Sequence, residues 1–225
     1  MTFDYHTVLF DVDGTLIDSN GAHARAWTEA LHHHGFGVRL DDVRRCIGMG
    51  GDKLLPAVAG IDEDSEAGKA IVSDKKAIFD SLLPGLDPAP GARVLVEHLT
   101  ARGMNLAIAT SADNKELDAL LTQAGVADLF PARTSKDDAK ESKPDPDIVK
   151  AALRKAKAAP ERTVMIGDTP YDIEAAARAG IPCVVLRSGG GWNDSELIAA
   201  LARFDDPADL LNAIRETPDG GHYAR

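Results

Sequence analysis

The chain is expected to fold as an α/β protein with a doubly wound, Rossmann-like parallel sheet, into which a block of helices is inserted. Two observations predict this. Short runs rich in Val, Ile and Leu alternate with amphipathic helical stretches along most of the sequence, the pattern of buried parallel strands covered by helices on both faces. The alternation is then interrupted once, between the first strand and a helix near residue 90, by roughly 70 residues with no strand signal, far more than a βαβ crossover requires.

The strands are expected at 6–11 ("HTVLFD"), 105–110 ("NLAIAT"), 163–167 ("TVMIG") and 182–187 ("PCVVLR"), with a weaker fifth at 129–133 ("LFPAR"). The core helices follow from their stops and starts. "PGARVLVEHLTARG" (90–103) and "NKELDALLTQAG" (114–125) each end in Gly, which favours a left-handed C-terminal turn. "DPDIVKAALRKAKAA" (145–159) is expected to open with Asp145 as N-cap and Pro146 in the first turn, and "PYDIEAAARAG" (170–180) again runs from Pro to Gly. The interruption reads as three or four helices with Gly-rich turns. We therefore expect a core domain of residues 1–18 and 85–225 and a helical domain of residues 19–84, hinged near 16–19 and 82–88.

Composition narrows the function. The 225 residues are 44% hydrophobic and 27% charged, with a net charge of −11 and no Lys/Arg-rich run. Nucleic acid and anionic membrane surfaces need a basic patch, so neither is an expected partner. The start "MTFDYHTVLF" has no basic n-region with a long apolar run, and no segment has the apolar length of a membrane span. The only cysteines, Cys46 and Cys183, lie far apart, so nothing supports a disulfide and a cytoplasmic location is expected.

Unusual residues gather where ligands bind such sheets, at the carboxyl ends of the strands. Strand one runs into Asp11 and Asp13, whose spacing puts both carboxylates on one side; strand two into Thr110 and Ser111; the 163–167 strand into Asp168. Lys143 stands in the loop before the helix at 145. Two carboxylates held that close repel unless a cation intervenes. A hard divalent ion such as Mg²⁺, which takes oxygen ligands from one or two carboxylates, resolves the repulsion. Thr110 and Ser111 lead into a helix start, where hydroxyl and backbone N–H groups suit a phosphate.

The stretches "DVDGT", "AIATS", "SKPDPDI" and "GDTPYD", in this order, resemble the four motifs of the haloacid dehalogenase-like hydrolases, and the helical insertion sits where one branch of that superfamily carries its cap. The resemblance implies a Mg²⁺-dependent enzyme acting on a small phosphorylated metabolite such as a sugar phosphate or phosphoglycolate, as a monomer or dimer. It implies that Asp11 attacks phosphorus to give an aspartyl-phosphate and that Asp13 moves the proton. Asp11, the backbone carbonyl of Asp13 and Asp168 would hold Mg²⁺, with Asp172 orienting Lys143 or a metal-bound water. Lys143 and Thr110 would bind the phosphoryl oxygens. By its position Asp172 also fits a helix cap. Gly14 allows the tight turn after the strand, where a side chain would crowd the phosphate.

In the insertion, His23, Trp27 and Leu31 share a helix face; Trp27 and Leu31 read as core, while His23 can turn to the leaving group or to Asp13. The run His32-His33-His34 reads as a solvated helix end. The turn "IGMGGDK" (47–53) offers Gly48, Met49 and Lys53 as substrate contacts, on the resemblance to capped relatives. Asn193 and Glu196 form a capping-box pattern. "DSNGAHARAW" (18–27) is similar to the matching stretch of β-phosphoglucomutases, which makes a phosphoryl-transferring isomerase the alternative. Two departures favour hydrolysis: Gly167-Asp168 replaces an acidic pair, and Gly51 stands where the mutases carry a phosphate-gripping arginine.

Overall fold

In the computed structural model, which describes residues 5–216, five parallel strands hydrogen-bond in the order β2-β1-β3-β4-β5. They are β1 (Thr7–Phe10), β2 (Asn105–Ile108), β3 (Thr163–Gly167), β4 (Cys183–Leu186) and β5 (Ala202–Phe204). Residues 1–4 and 217–225, which fall within the expected start and core domain, lie outside the described residues.

Period-two alternation divides the strands between two apolar cores. Val8 and Phe10 of β1 join Ile108, Val164 and Val184 in a core closed by helices α5 (Ala92–Ala101), α6 (Asn114–Gln123) and α9 (Pro207–Arg215). The intervening Leu9 joins Ala107, Met165 and Val185 in a second core, covered by α7 (Asp147–Ala156) and α8 (Pro170–Arg178). Covered on both faces, β1, β3 and β4 are buried at every residue, which is why their sequences run apolar without alternating.

Between β1 and α5 lie α1 (Asn20–His33), α2 (Leu40–Arg44), α3 (Gly51–Ala59) and α4 (Glu66–Leu82). This helical cap has a core of its own, with Trp27, Leu31, Val43, Leu54, Leu55 and Ile71 buried together. It is not sealed off from the sheet domain, because Ala26 of α1 and Phe79 of α4 pack into the first sheet core.

The fifth strand differs from expectation. Residues 129–133 make one isolated bridge, Ala107 with Ala132, beside which Ile108 donates to the Ala132 carbonyl and Thr134 to that of Ile108 without extending into a strand. The fifth strand is Ala202–Phe204, whose three half-buried residues carry too little apolar pattern to stand out. At α7, Pro146 occupies the N-cap in place of Asp145, and Asp145 pairs with Lys53 (3.2 Å) and Arg178 (3.4 Å) instead. Asn193 and Glu196 do bond each other's backbone as a capping box, but no helix follows. His33 pairs with Asp74 (2.8 Å) at the exposed end of α1. Cys46 and Cys183 are both free thiols, and no helix among the described residues is long and apolar enough to cross a membrane.

β1 lies between β2 on one side and β3 on the other. Its carboxyl end is therefore the point where strand order reverses and a crevice opens. The cap enters the chain directly after it. Because the cap has its own buried apolar cluster, Leu31→Ala should cost about 2–5 kcal/mol, the usual range for a fully buried leucine, read as a lowered urea midpoint with the sheet still formed by circular dichroism.

Candidate active site

The loop after β1 supplies the first two carboxylates. The strand ends at Phe10, and the chain then turns tightly, with the backbone N–H groups of Thr15, Leu16 and Ile17 all directed to the carbonyl of Val12. The turn separates what the spacing had placed together. Asp11 and Asp13 line the same cleft, but Asp11 faces the sheet domain's lysine while Asp13 faces the cap.

Lys143 is fully buried and donates from Nζ to Oδ1 of Asp11 (2.5 Å) and Oδ1 of Asp172 (2.7 Å). Asp172 fills both roles left open for it. Its Oδ2 caps α8, accepting from the backbone N–H groups of Asp168 and Thr169 and from the Thr169 hydroxyl (2.8 Å), while Oδ1 steadies the lysine. With both oxygens taken, Asp172 fits a positioning role better than direct metal ligation.

Asp168, at the end of β3, accepts from Asn20 Nδ2 (2.7 Å) and lies 3.5 Å from the Thr15 hydroxyl. Asn20 also donates to the Gly189 carbonyl (3.1 Å). Gly14, at φ +71°, is where a side chain fails, because Asp168 and Asn20 already occupy the space. A Cβ there would stand 2.2 Å from Asp168 Oδ2 and 2.5 Å from Asn20 Nδ2.

Carboxylate oxygens of Asp11, Asp168 and Asp172 come within 4.8 Å of one another. One lysine cannot neutralise three buried acids. Burial pushes Asp11 up to about 7, with Asp172 and Asp13 adding to the rise and Lys143 opposing it. Burial, Asp172 and Asp11 raise Asp168 well above the ordinary carboxylate range against Asn20 and Lys143. Lys143 is held protonated: burial works against its charge, but the attraction of Asp11 and Asp172 is greater. An all-oxygen, electron-rich, under-neutralised set is the kind that a hard divalent cation completes.

Asp13 is differently placed. Its Oδ1 accepts from the Ser19 hydroxyl (2.5 Å) and lies 2.8 Å from His23 Nε2. The His23 ring is buried and stacks on Phe79, with centroids 3.9 Å apart. Burial raises Asp13, but His23, Ser19 and Lys75 together hold it below the ordinary range. So the two acids of one turn are pushed in opposite directions.

Thr110 and Ser111 border the cleft from the end of β2. The Thr110 hydroxyl accepts from the Ala112 N–H (3.2 Å), and Ser111 Oγ is buried without a partner. An orphaned hydroxyl beside backbone N–H groups suits an anion.

The cap closes the other side. Gly48 and Met49 line the cleft, Gly48 at φ +104° with a Cβ position 2.8 Å from Thr169. The Gly50 N–H donates to Ser142 Oγ (3.0 Å), which seats the loop beside Lys143. Lys53 is a correction to the substrate-contact expectation: it is outside the cleft lining and is held outward by Glu141 and Asp145, which raise it above its ordinary value. Another lysine faces the cleft. Lys75 of α4 is buried and pairs with Glu116 of α6 (3.0 Å). It was legible in principle, because Ile71, Lys75 and Phe79 form an i, i+4, i+8 stripe of buried positions with one ammonium in it. Ser19 and Asn20 had no such signal, since both resemble ordinary helix-start residues.

The chain as a whole is similar to known phosphatases and hydrolases. A phosphoglycolate phosphatase of Rhodospirillum rubrum is 32% identical over 224 residues, covering 95% of this chain and 92% of the relative. A phosphorylated carbohydrates phosphatase of Thermotoga maritima is 29% identical over 93% of this chain and 98% of its own length. A crystal structure of a hydrolase from Pseudomonas syringae superposes with a TM-score of 0.87 at 32% identity, over 93% of this chain and 98% of that one. The family model described as haloacid dehalogenase-like hydrolase matches residues 8–186, most of the chain, and the chain belongs to that family.

Proposed function

We propose that this hydrolase is a Mg²⁺-dependent phosphatase that cleaves a small phosphorylated metabolite, a sugar phosphate or phosphoglycolate-like ester, through an aspartyl-phosphate on Asp11. The observation that carries the reading is the buried Lys143 between Asp11 and Asp172, beside Asp168. Lys143 fixes Oδ1 of Asp11, so attack on phosphorus falls to the other oxygen, and the P–O ester bond breaks as the acyl-phosphate forms. Ser19 and His23 both hold Oδ1 of Asp13. Its Oδ2 is then the atom free to carry the proton: held ionised, it would take up the proton of the substrate's phosphate monoanion and pass it to the leaving oxygen, then take one from the water that cleaves the acyl-phosphate. Thr110, the Ser111 hydroxyl and Lys143 would share the phosphoryl oxygens. Asp11, Asp168 and the Asp13 carbonyl would hold Mg²⁺, which would screen the nucleophile from the incoming anion.

The relatives named above support phosphate-ester hydrolysis by what they are called. The isomerase alternative needs a firm grip on a second phosphate. Gly51 lines the cleft without a side chain, Lys53 is bound outward, and Lys75 is already paired, so hydrolysis is the reading we adopt. We place the cap at residues 19–84, with closure over the cleft excluding bulk water during the first transfer.

Asp11→Asn should lower kcat on p-nitrophenyl phosphate by at least about 10³-fold, as for loss of a nucleophile; turnover within tenfold of wild type would remove Asp11 from that role. Asp13→Asn should cost about 10²–10⁴-fold in kcat while Mg²⁺ affinity by calorimetry stays within a few-fold, because its metal contact is the backbone. Chelation should abolish turnover and added Mg²⁺ restore it. In the metal-free protein, ionising Asp11 costs stability, since its folded value near 7 lies above that of the unfolded chain. That cost sets in as pH rises from about 4 to 7. The Tm of Asp11→Asn relative to wild type should therefore be higher at pH 8 than at pH 5, whatever the loss of the Lys143 pairing costs at both, and an equal difference at the two values would contradict the burial argument.

A further inference from the structure

The cleft between the cap and the sheet domain is narrow, with about 80 Å³ open to a water-sized molecule. Asp11, Asp13, Thr110 and Ser111 line it from the sheet domain, and Trp27 and Lys75 of the cap and Glu116 of α6 line it as well, none of them given a direct contact with the phosphoryl group above. Lys75 Nζ donates to Glu116 Oε2 (3.0 Å), with the two side chains only 7% and 12% exposed. The same ammonium lies 5.6 Å from the centre of the Trp27 ring and 4.8 Å from that of Phe79.

A buried ion pair on a cavity wall is costly unless something uses it, because desolvation offsets most of the attraction. Its chemistry is specific. The ammonium has N–H groups beyond the one given to Glu116, and the carboxylate has spare lone pairs. A neutral hydroxyl can accept from one and donate to the other without breaking the pair. A substrate carboxylate can bond only to Lys75, and it must then face Glu116 at close range. Among the described residues that line the cleft there is no arginine and no other lysine to compensate. Trp27 adds a flat apolar surface, suited to the C–H face of a sugar ring.

We propose that Trp27, Lys75 and Glu116 form the leaving-group subsite, and that it selects a polyhydroxylated leaving group, a sugar or polyol, over one that carries a carboxylate. The proposal rests on the phosphatase reading and narrows its substrate class.

The test is a comparison of kcat/KM with Mg²⁺ for p-nitrophenyl phosphate, pentose and hexose phosphates, and 2-phosphoglycolate, on wild type and Glu116→Gln. Wild type should favour at least one sugar phosphate over 2-phosphoglycolate by tenfold or more. Glu116→Gln keeps an acceptor for Lys75 and removes the negative charge, so it should move that ratio about tenfold toward 2-phosphoglycolate, chiefly through KM. A wild-type preference for 2-phosphoglycolate overturns the proposal without need of any variant. So does a variant that lowers both substrates in parallel, which would mean that the pair only holds the cap down. Absence of p-nitrophenyl phosphate hydrolysis by wild type overturns the phosphatase reading and the subsite with it, so the two failures are distinguishable.

Discussion

A single ammonium, that of Lys143, is buried among three carboxylates, and most of the site follows from this shortage of positive charge. Its bonds to Asp11 and Asp172 tie the end of β1 to the start of α8, two elements that meet nowhere else in sequence. Asp172 in turn caps α8 and holds the backbone at Asp168. Removing any member leaves buried charge without its partner, which costs more than the pairing contributes. The arrangement is thus rigid but under-neutralised, with Asp11 and Asp168 both pushed up by burial and by their neighbours. A folded protein gains nothing from that state by itself, and a bound cation changes the balance.

The cap is part of the same network. Asn20, the first residue of α1, bonds Asp168 across 148 positions of sequence. Ser19 and His23 hold Asp13, and Gly50 seats its loop on Ser142. The cap therefore does two things at once: it encloses the cleft and orients carboxylates of the sheet domain. Charged contacts at the rim add to this. Arg45 stacks on Trp192 (4.1 Å) and pairs with Glu196, while the Tyr171 hydroxyl donates to the Arg45 carbonyl (2.5 Å). Exposed pairs of this kind contribute little each, so the closed arrangement depends more on the buried contacts at Asp13 and Asp168.

The strongest signals in the sequence were those that a local rule can carry. Apolar runs without alternation marked β1 through β4, and Pro-to-Gly spans marked the core helices. A strand of three residues such as β5 carries no such run, whereas the apolar Leu129 and Phe130 made 129–133 look more strand-like than its single bridge allows. Asp145 has the residue type of a cap, but in the fold Pro146 takes that place and Asp145 answers to Lys53 and Arg178.

Fold class, the insertion after the first strand and the candidate set Asp11, Asp13, Thr110, Lys143 and Asp168 are legible in the sequence, because each of these residues lies at the end of a strand or beside a helix start, and strand ends in this architecture converge. Only the tertiary structure decided which partner each side chain meets. It turned Asp13 toward His23 and Ser19, gave Asp172 two roles, sent Lys53 outward and brought Lys75 against Glu116. The physical reason is that a side chain's place along the chain follows from periodicity, whereas its electrostatic partner is set by packing between separate elements, as far as 148 residues apart for Asn20 and Asp168.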